Sequence, residues 1–214
     1  MKAAIVLSIL LNVVLIFTVQ ADVIEVEYKR FYSHTKKLDS EDTQSLQFAF
    51  GFVNVRQPGT LCAIRTANII TPKKTLSLEV SPEGRFTVPT EKALKLADAM
   101  VQVDLVEAAN VCDMSVQLET KAYLLNTEYA TKDLQHIYQQ YTSFFNAMGS
   151  FMSFLMPQVD GLMFQFKDPQ LDYVIQPGLQ IEQGILRLSQ QQLHAINTLR
   201  LPRAPLRITA LTSR

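Results

Sequence analysis

Met148, Met152 and Met156 fall at i, i+4 and i+8, so a helix would carry their thioethers along one face, with Phe144, Phe145, Phe151 and Phe154 around them. Three soft sulfur donors in line suit Cu(I). The same pliable surface suits an acyl chain or an apolar partner, and it equally suits plain packing on a sheet with methionine as gap-filler. As an apolar ligand face the residues are Met148, Met152, Met156 and Phe145. The other reactive pair is Cys62 and Cys112, each in a strand-like run. In an oxidising compartment an even pair is expected to be bridged, and the loop it closes is worth about 4 kcal/mol in the chain-entropy account. A catalytic thiolate would need a base beside it, and neither cysteine has a histidine nearby in sequence or a C-x-x-C partner.

Other chemistries find little support. His34, His136 and His194 are too far apart for metal-ligand spacing, and the zinc-hydrolase, nucleophile-elbow and phosphate-loop motifs are missing. Glu25 and Glu27 share a strand face, which an acid pair could use, but a charged solvent face explains them as well. Asp39, Glu41 and Asp42 lack the loop glycine and ligand spacing of a dedicated Ca²⁺ site. No catalytic residue, cofactor or metal ligand is assigned. A hydrolase assembled from dispersed residues stays open, because such a site leaves no spacing to read.

The address is clearer than the chemistry. Met1-Lys2, an apolar run from Ala3 to Phe17 and Thr18-Val19-Gln20-Ala21 have the parts of a secretory signal peptide, with cleavage expected after Ala21 and an uncleaved anchor as the competitor. Twenty basic and twenty acidic residues balance in the whole chain, so nothing steers it towards nucleic acid. Arg200, Arg203, Arg207 and Arg214 occur with no acid among them. They read as a solvated tail or edge, or as a contact for the phosphates of an anionic lipid at a membrane.

The positioning elements follow from periodicity. Ile24, Val26 and Tyr28 alternate with Glu25, Glu27 and Lys29 as a half-buried strand, and residues 36–43 read as a polar loop or short helix. Leu46, Phe48, Phe50 and Phe52 mark the strongest strand, with Ala49 and Gly51 leaving room on its other face for something large. Gln57-Pro58-Gly59 should turn the chain so that Thr60 to Ile70 returns beside that strand as a hairpin. Further strands are expected through Leu76–Val80, Phe86–Val88, Val101–Leu105 and Cys112–Leu118, with Thr90 capping a helix from Glu91 to Asp98. Such spacing argues for an antiparallel sandwich or barrel. From Leu134 to Leu155 apolar residues recur at three- and four-residue steps as one long amphipathic helix ended by Pro157. A strand at Gly161–Phe166, a second helix opened by the Ser189/Gln192 capping box and ending near Leu199, and a closing strand at Leu206 and Ile208 complete the reading.

The runs Leu46 to Cys62 (LQFAFGFVNVRQPGTLC), Arg85 to Leu105 (RFTVPTEKALKLADAMVQVDL) and Cys112 to Leu118 resemble a family of small exported gammaproteobacterial proteins known only as a domain of unknown function. The resemblance implies a periplasmic setting and supplies no catalytic residue, ligand or partner. The expected architecture is α+β: a signal over residues 1–21, a sandwich-like β-rich part over 22–122, and a helix-containing part over 123–214 packed on it, the two parts forming either one domain or two. The expected role is a non-enzymatic envelope protein that binds or supports an unidentified envelope partner. The alternatives are a carrier of an acyl chain or lipid along the Met/Phe helix and the dispersed hydrolase.

Overall fold

The computed structural model describes residues 22–149 and 158–213. The leader with its cleavage point, Phe151, Met152, Phe154, Leu155, Met156, Pro157 and Arg214 lie outside the described residues. The architecture is α+β, with antiparallel sheets, one long helix and several short ones. No helix among the described residues is long and apolar enough to cross a membrane.

Alternating sequences form the sheets. A four-stranded sheet contains β1 (Asp22–Glu27), β3 (Ile64–Ile70), β4 (Thr75–Leu78) and β6 (Met100–Leu105) in the order β1-β6-β3-β4. A three-stranded sheet sets β2 (Leu46–Asn54) between β5 (Arg85–Phe86) and β7 (Cys112–Thr120). The C-terminal sheet has the order β10-β11-β12-β9-β14, from β9 (Val159–Gln165), β10 (Tyr173–Gln176), β11 (Leu179–Glu182), β12 (Ile185–Ser189) and β14 (Arg207–Thr212). A short pair joins β8 (Glu128–Ala130) to β13 (Thr198–Arg200).

Helices cover the apolar faces. The phenylalanine face of β2 receives α1 (Tyr28–Thr35), whose Phe31 meets Phe50 edge-on at 4.8 Å, and α3 (Thr131–Gly149), whose Phe144 meets Phe48 at 5.8 Å. On α3 the buried Leu134, Ile137, Tyr141 and Phe144 recur at helical steps. The Tyr141 hydroxyl lies within 2.7 Å of the Ile208 carbonyl, to which it donates, and 3.2 Å from Thr120 Oγ1, joining α3 to β14 and β7. One continuous core runs from Tyr28 through Phe50 to Leu134, Phe164 and Ile208.

Several expectations are corrected. Tyr28 does not extend the first strand; with Phe31 and Thr35 it forms the buried stripe of α1. The turn after β2 closes as expected, with Asn54 N donating to Thr60 O and Val53 bridging Leu61. The chain then leaves, and β3 pairs with β4 and β6 instead of β2. Cys62, between that bridge and β3, still donates its N–H to the Phe52 carbonyl and is bonded to Cys112 at the start of β7, with Cα atoms 6.2 Å apart. Val88 is buried beyond β5 without being part of it. Thr90 caps nothing; α2 (Lys92–Leu96) follows Glu91 with no side-chain cap. The Ser189/Gln192 capping box forms as read, but α4 (Gln190–Ala195) is short and Leu199 belongs to β13. Residues 36–38 and 41–43 are 3₁₀ turns.

The disulfide joins the return segment after β2 to the start of β7, with 50 positions between the two cysteines. Replacing both cysteines, Cys62→Ala with Cys112→Ala, should lower the free energy of unfolding by about 4 kcal/mol. A urea titration checks this, and an unmoved midpoint would show that the staple contributes nothing.

Candidate functional site

The strand that offers its phenylalanines to the core has an opposite face made of Gln47, Ala49 and Gly51. Register places Glu119, Gln117 and Ser115 of β7 across from these three, and Arg85 of β5 across from Gly51. Because side chains alternate, this stretch of the face, before Val53, is polar or small. A Cβ at Gly51 would come within 2.8 Å of the Gly84 carbonyl and 3.3 Å of Arg85 Cγ. Gly51 therefore clears the path along which Arg85 lies, and the large group anticipated opposite the phenylalanines is this guanidinium. The turn before it is set by Gly84, with φ of 73° and its N–H donating to Ser81 O. Ser81 Oγ also accepts from Arg85 N at 3.2 Å.

Arg207, the first residue of β14, closes over this face at 7 % exposure. Its Nη1 donates to Gln117 Oε1 at 2.6 Å, and its Nη2 pairs with Glu83 Oε2. It is the correction to the basic-tail reading. Of the other tail arginines, Arg200 sits near Glu128 at 3.5 Å and Arg203 near Asp168 at 4.0 Å, so they form no common patch.

Beside this roof lies a cleft of about 300 Å³, lined by Arg85, Glu119, Glu79, Thr87, Leu125 and Leu206 among others. Glu119 accepts from Gln47 Nε2 at 3.0 Å. Burial pushes its carboxyl above the usual glutamate range, and the nearby Glu83 adds to this; the Gln47 hydrogen bond and the charges of Arg207 and Arg85 work the other way. Arg85 is drawn below its usual value, first by burial and then by the like charge of Arg207. Its Nη1 makes one long contact, 3.5 Å to the Ala49 carbonyl. Arg85 Nε, Arg207 Nε and Thr209 Oγ1 are the buried side-chain polar atoms with no partner among the described residues.

Arg85 and Arg207 thus stand among three carboxylates, Glu83 and Glu119 beside them and Glu79 across the cleft, and the Nε of each arginine has no partner among the described residues. The hydroxyls of Ser81, Thr87 and Thr120 line the cleft without a histidine among its walls, and that of Thr120 contacts Tyr141.

The residues singled out by sequence lie elsewhere. Met148 is exposed on α3 with Phe145 half-buried nearby, while Met152 and Met156 are outside the described residues. His34 packs edge-on against Phe48 and Phe50, and burial followed by the Lys37 charge lowers its pKa. His194 Nδ1 is 3.1 Å from Gln135 Nε2. His136 Nε2 is 3.0 Å from Ser45 Oγ, but Ser45 is buried and neither residue lines the Arg85 cleft. Glu25 accepts from Gln102, whereas Glu27 pairs with Lys29, whose hydrogen bond lowers its pKa. Among the described residues the one trio of metal-type donors that converges is Cys62, Cys112 and Glu107, within 4.8 Å, and its two sulfurs are bonded to each other. Sequence reasoning missed Glu83, Arg85 and Glu119; the small residues Ala49 and Gly51 were the available signal.

A family model described as Protein of unknown function (DUF2987) matches residues 20–166, which include Glu83, Arg85 and Glu119 but not Arg207. No curated protein and no solved structure matches the chain.

A carboxyl raised in the fold stabilises fully below its ordinary range, and that contribution is lost as pH rises through the folded value. Relative to Glu119→Gln, the parent protein should therefore lose thermal stability as pH is raised from the ordinary glutamate range to neutrality. Parallel melting curves test this; a constant difference in Tm between the two proteins would contradict it.

Proposed function

We propose that this chain, which belongs to the family described as Protein of unknown function (DUF2987), is an exported, non-enzymatic binding protein of the cell envelope, working in the periplasm. The observation that carries the export reading is the Cys62–Cys112 disulfide, which uses both cysteines of the chain. Such a bond persists where thiols are not kept reduced, and it agrees with the signal-like leader. The binding reading is supported by the cleft itself, a hollow of about 300 Å³ beside Arg85, whose Nε has no partner among the described residues. An envelope partner or a small ligand would engage there.

A second reading places an apolar ligand along α3. It is favoured by Met148, 41 % exposed near the end of a helix whose other face, through Leu134, Ile137, Tyr141 and Phe144, packs into the core. Uptake of a fluorescent fatty-acid probe, weakened by Met148→Asp, would support it; a protein that leaves the probe free would remove it.

The export reading is tested by cell fractionation combined with thiol alkylation and intact mass. We expect a periplasmic chain beginning at Asp22, two protons lighter than its reduced form and unlabelled until reductant is added. A full-length, alkylatable chain in the cytoplasm would overturn it.

A further inference from the structure

The disulfide has a third donor beside it. Glu107, in the turn after β6, brings a carboxylate oxygen within 4.8 Å of both Cys62 Sγ and Cys112 Sγ. The place is separate from the Arg85 cleft, whose walls include none of the three. Every disulfide is closed from two thiols, and opening this one leaves two thiols facing that carboxylate.

What holds the three residues together does not pass through the sulfur–sulfur bond. Cys62 donates its N–H to the Phe52 carbonyl at 2.8 Å, and Cys112 stands opposite Asn54 in the β2–β7 register, so both hang from the same end of β2. Val106 N donates to the Ala63 carbonyl at 2.9 Å, and Ala63 N donates to Glu107 Oε2 at 2.8 Å. The acid is thereby tied to the residue next to Cys62. Reduction breaks none of these contacts itself.

The donor set selects its ion. Two thiolates exclude Mg²⁺ and Ca²⁺, which take oxygen, and a carboxylate is a poor match for Cu(I). Zn²⁺ accepts both, and three protein ligands leave its fourth tetrahedral position to water. Two sulfurs on one zinc stand about 3.7 Å apart when each Zn–S bond is about 2.3 Å. Cα atoms 6.2 Å apart let the cysteine side chains open to that spacing. Both cysteines are buried and Glu107 is half-buried, so the carboxylate marks the side from which an ion enters.

We propose that Cys62, Cys112 and Glu107 form a zinc site in the reduced protein, so that the cysteine pair alternates between a disulfide and a bound ion. A dithiol reductant passes two electrons and two protons to the disulfide and itself becomes a disulfide. Zn²⁺ then displaces both thiol protons, and no electron moves in that second step. Zinc and oxidation compete for the same sulfurs, and the ion bridges the same two segments that the disulfide joins.

The test uses the mature protein opened with a water-soluble phosphine, which leaves as its oxide with the oxygen of one water while the two hydrogens go to the sulfurs. Zn²⁺ is titrated against a chromophoric chelator, with Co²⁺ as a coloured substitute. The reduced protein should bind one Zn²⁺ per chain, release two protons and melt at a higher temperature than without the ion. Its Co²⁺ form should show thiolate charge transfer and the strong visible absorption of tetrahedral coordination. The disulfide-bonded protein should bind neither ion at this site. Glu107→Gln keeps an acceptor for Ala63 N and should weaken zinc at least about tenfold; an unchanged melt of its disulfide-bonded form shows that the variant folds. No zinc binding by the reduced protein, weak octahedral Co²⁺ absorption, or equal affinity in Glu107→Gln overturns the inference, as does a reduced chain that unfolds and is not refolded by zinc. None of these outcomes touches the reading of the Arg85 cleft.

Discussion

A guanidinium buried as deeply as Arg207 must find acceptors, and that requirement fixes how the two ends of the chain meet. Its partners come from Glu83, 124 positions earlier, and Gln117, 90 positions earlier. β14 can satisfy both only in its present register against β9, with Arg207 opposite Gln165. A slip of one residue would turn Arg207 into the core and Ile208 out of it. Such a buried pair is weak evidence of net stability, because desolvation offsets much of the attraction. Removing one partner is costly, since an uncompensated charge stays behind. We read Arg207 as a device of specificity: it selects the place of β14, and β14 in turn presents the Ile208 carbonyl to Tyr141.

The two faces of β2 divide the labour. Phe48 and Phe50 supply the surface on which α1 and α3 pack, and their burial is the main driving force at that junction. Ala49 and Gly51 supply the opposite condition, a floor low enough for an arginine to lie along. Had both faces been large and apolar, the sheet would have closed on itself and the cleft would be filled. The disulfide pins the end of the short return from β2, at Cys62, to the start of β7, at Cys112.

Local pattern was legible wherever one face of an element met the core. Period-two alternation gave β2, β6 and β7, three- and four-residue steps gave α3, and Ser189 with Gln192 located the start of α4. The misses have physical causes. Tyr28 satisfies both the strand alternation of Ile24 and Val26 and the helical spacing of Phe31 and Thr35, and tertiary packing decides for the helix. The run after Leu61 follows the nearest strand in sequence by periodicity alone, while its β3 segment finds β6, a pairing set by long-range register that no local pattern displays. Arg207 resembles a surface residue because the groups that allow its burial lie in distant segments. The candidate site was legible only as an absence, in the missing side chains at positions 49 and 51.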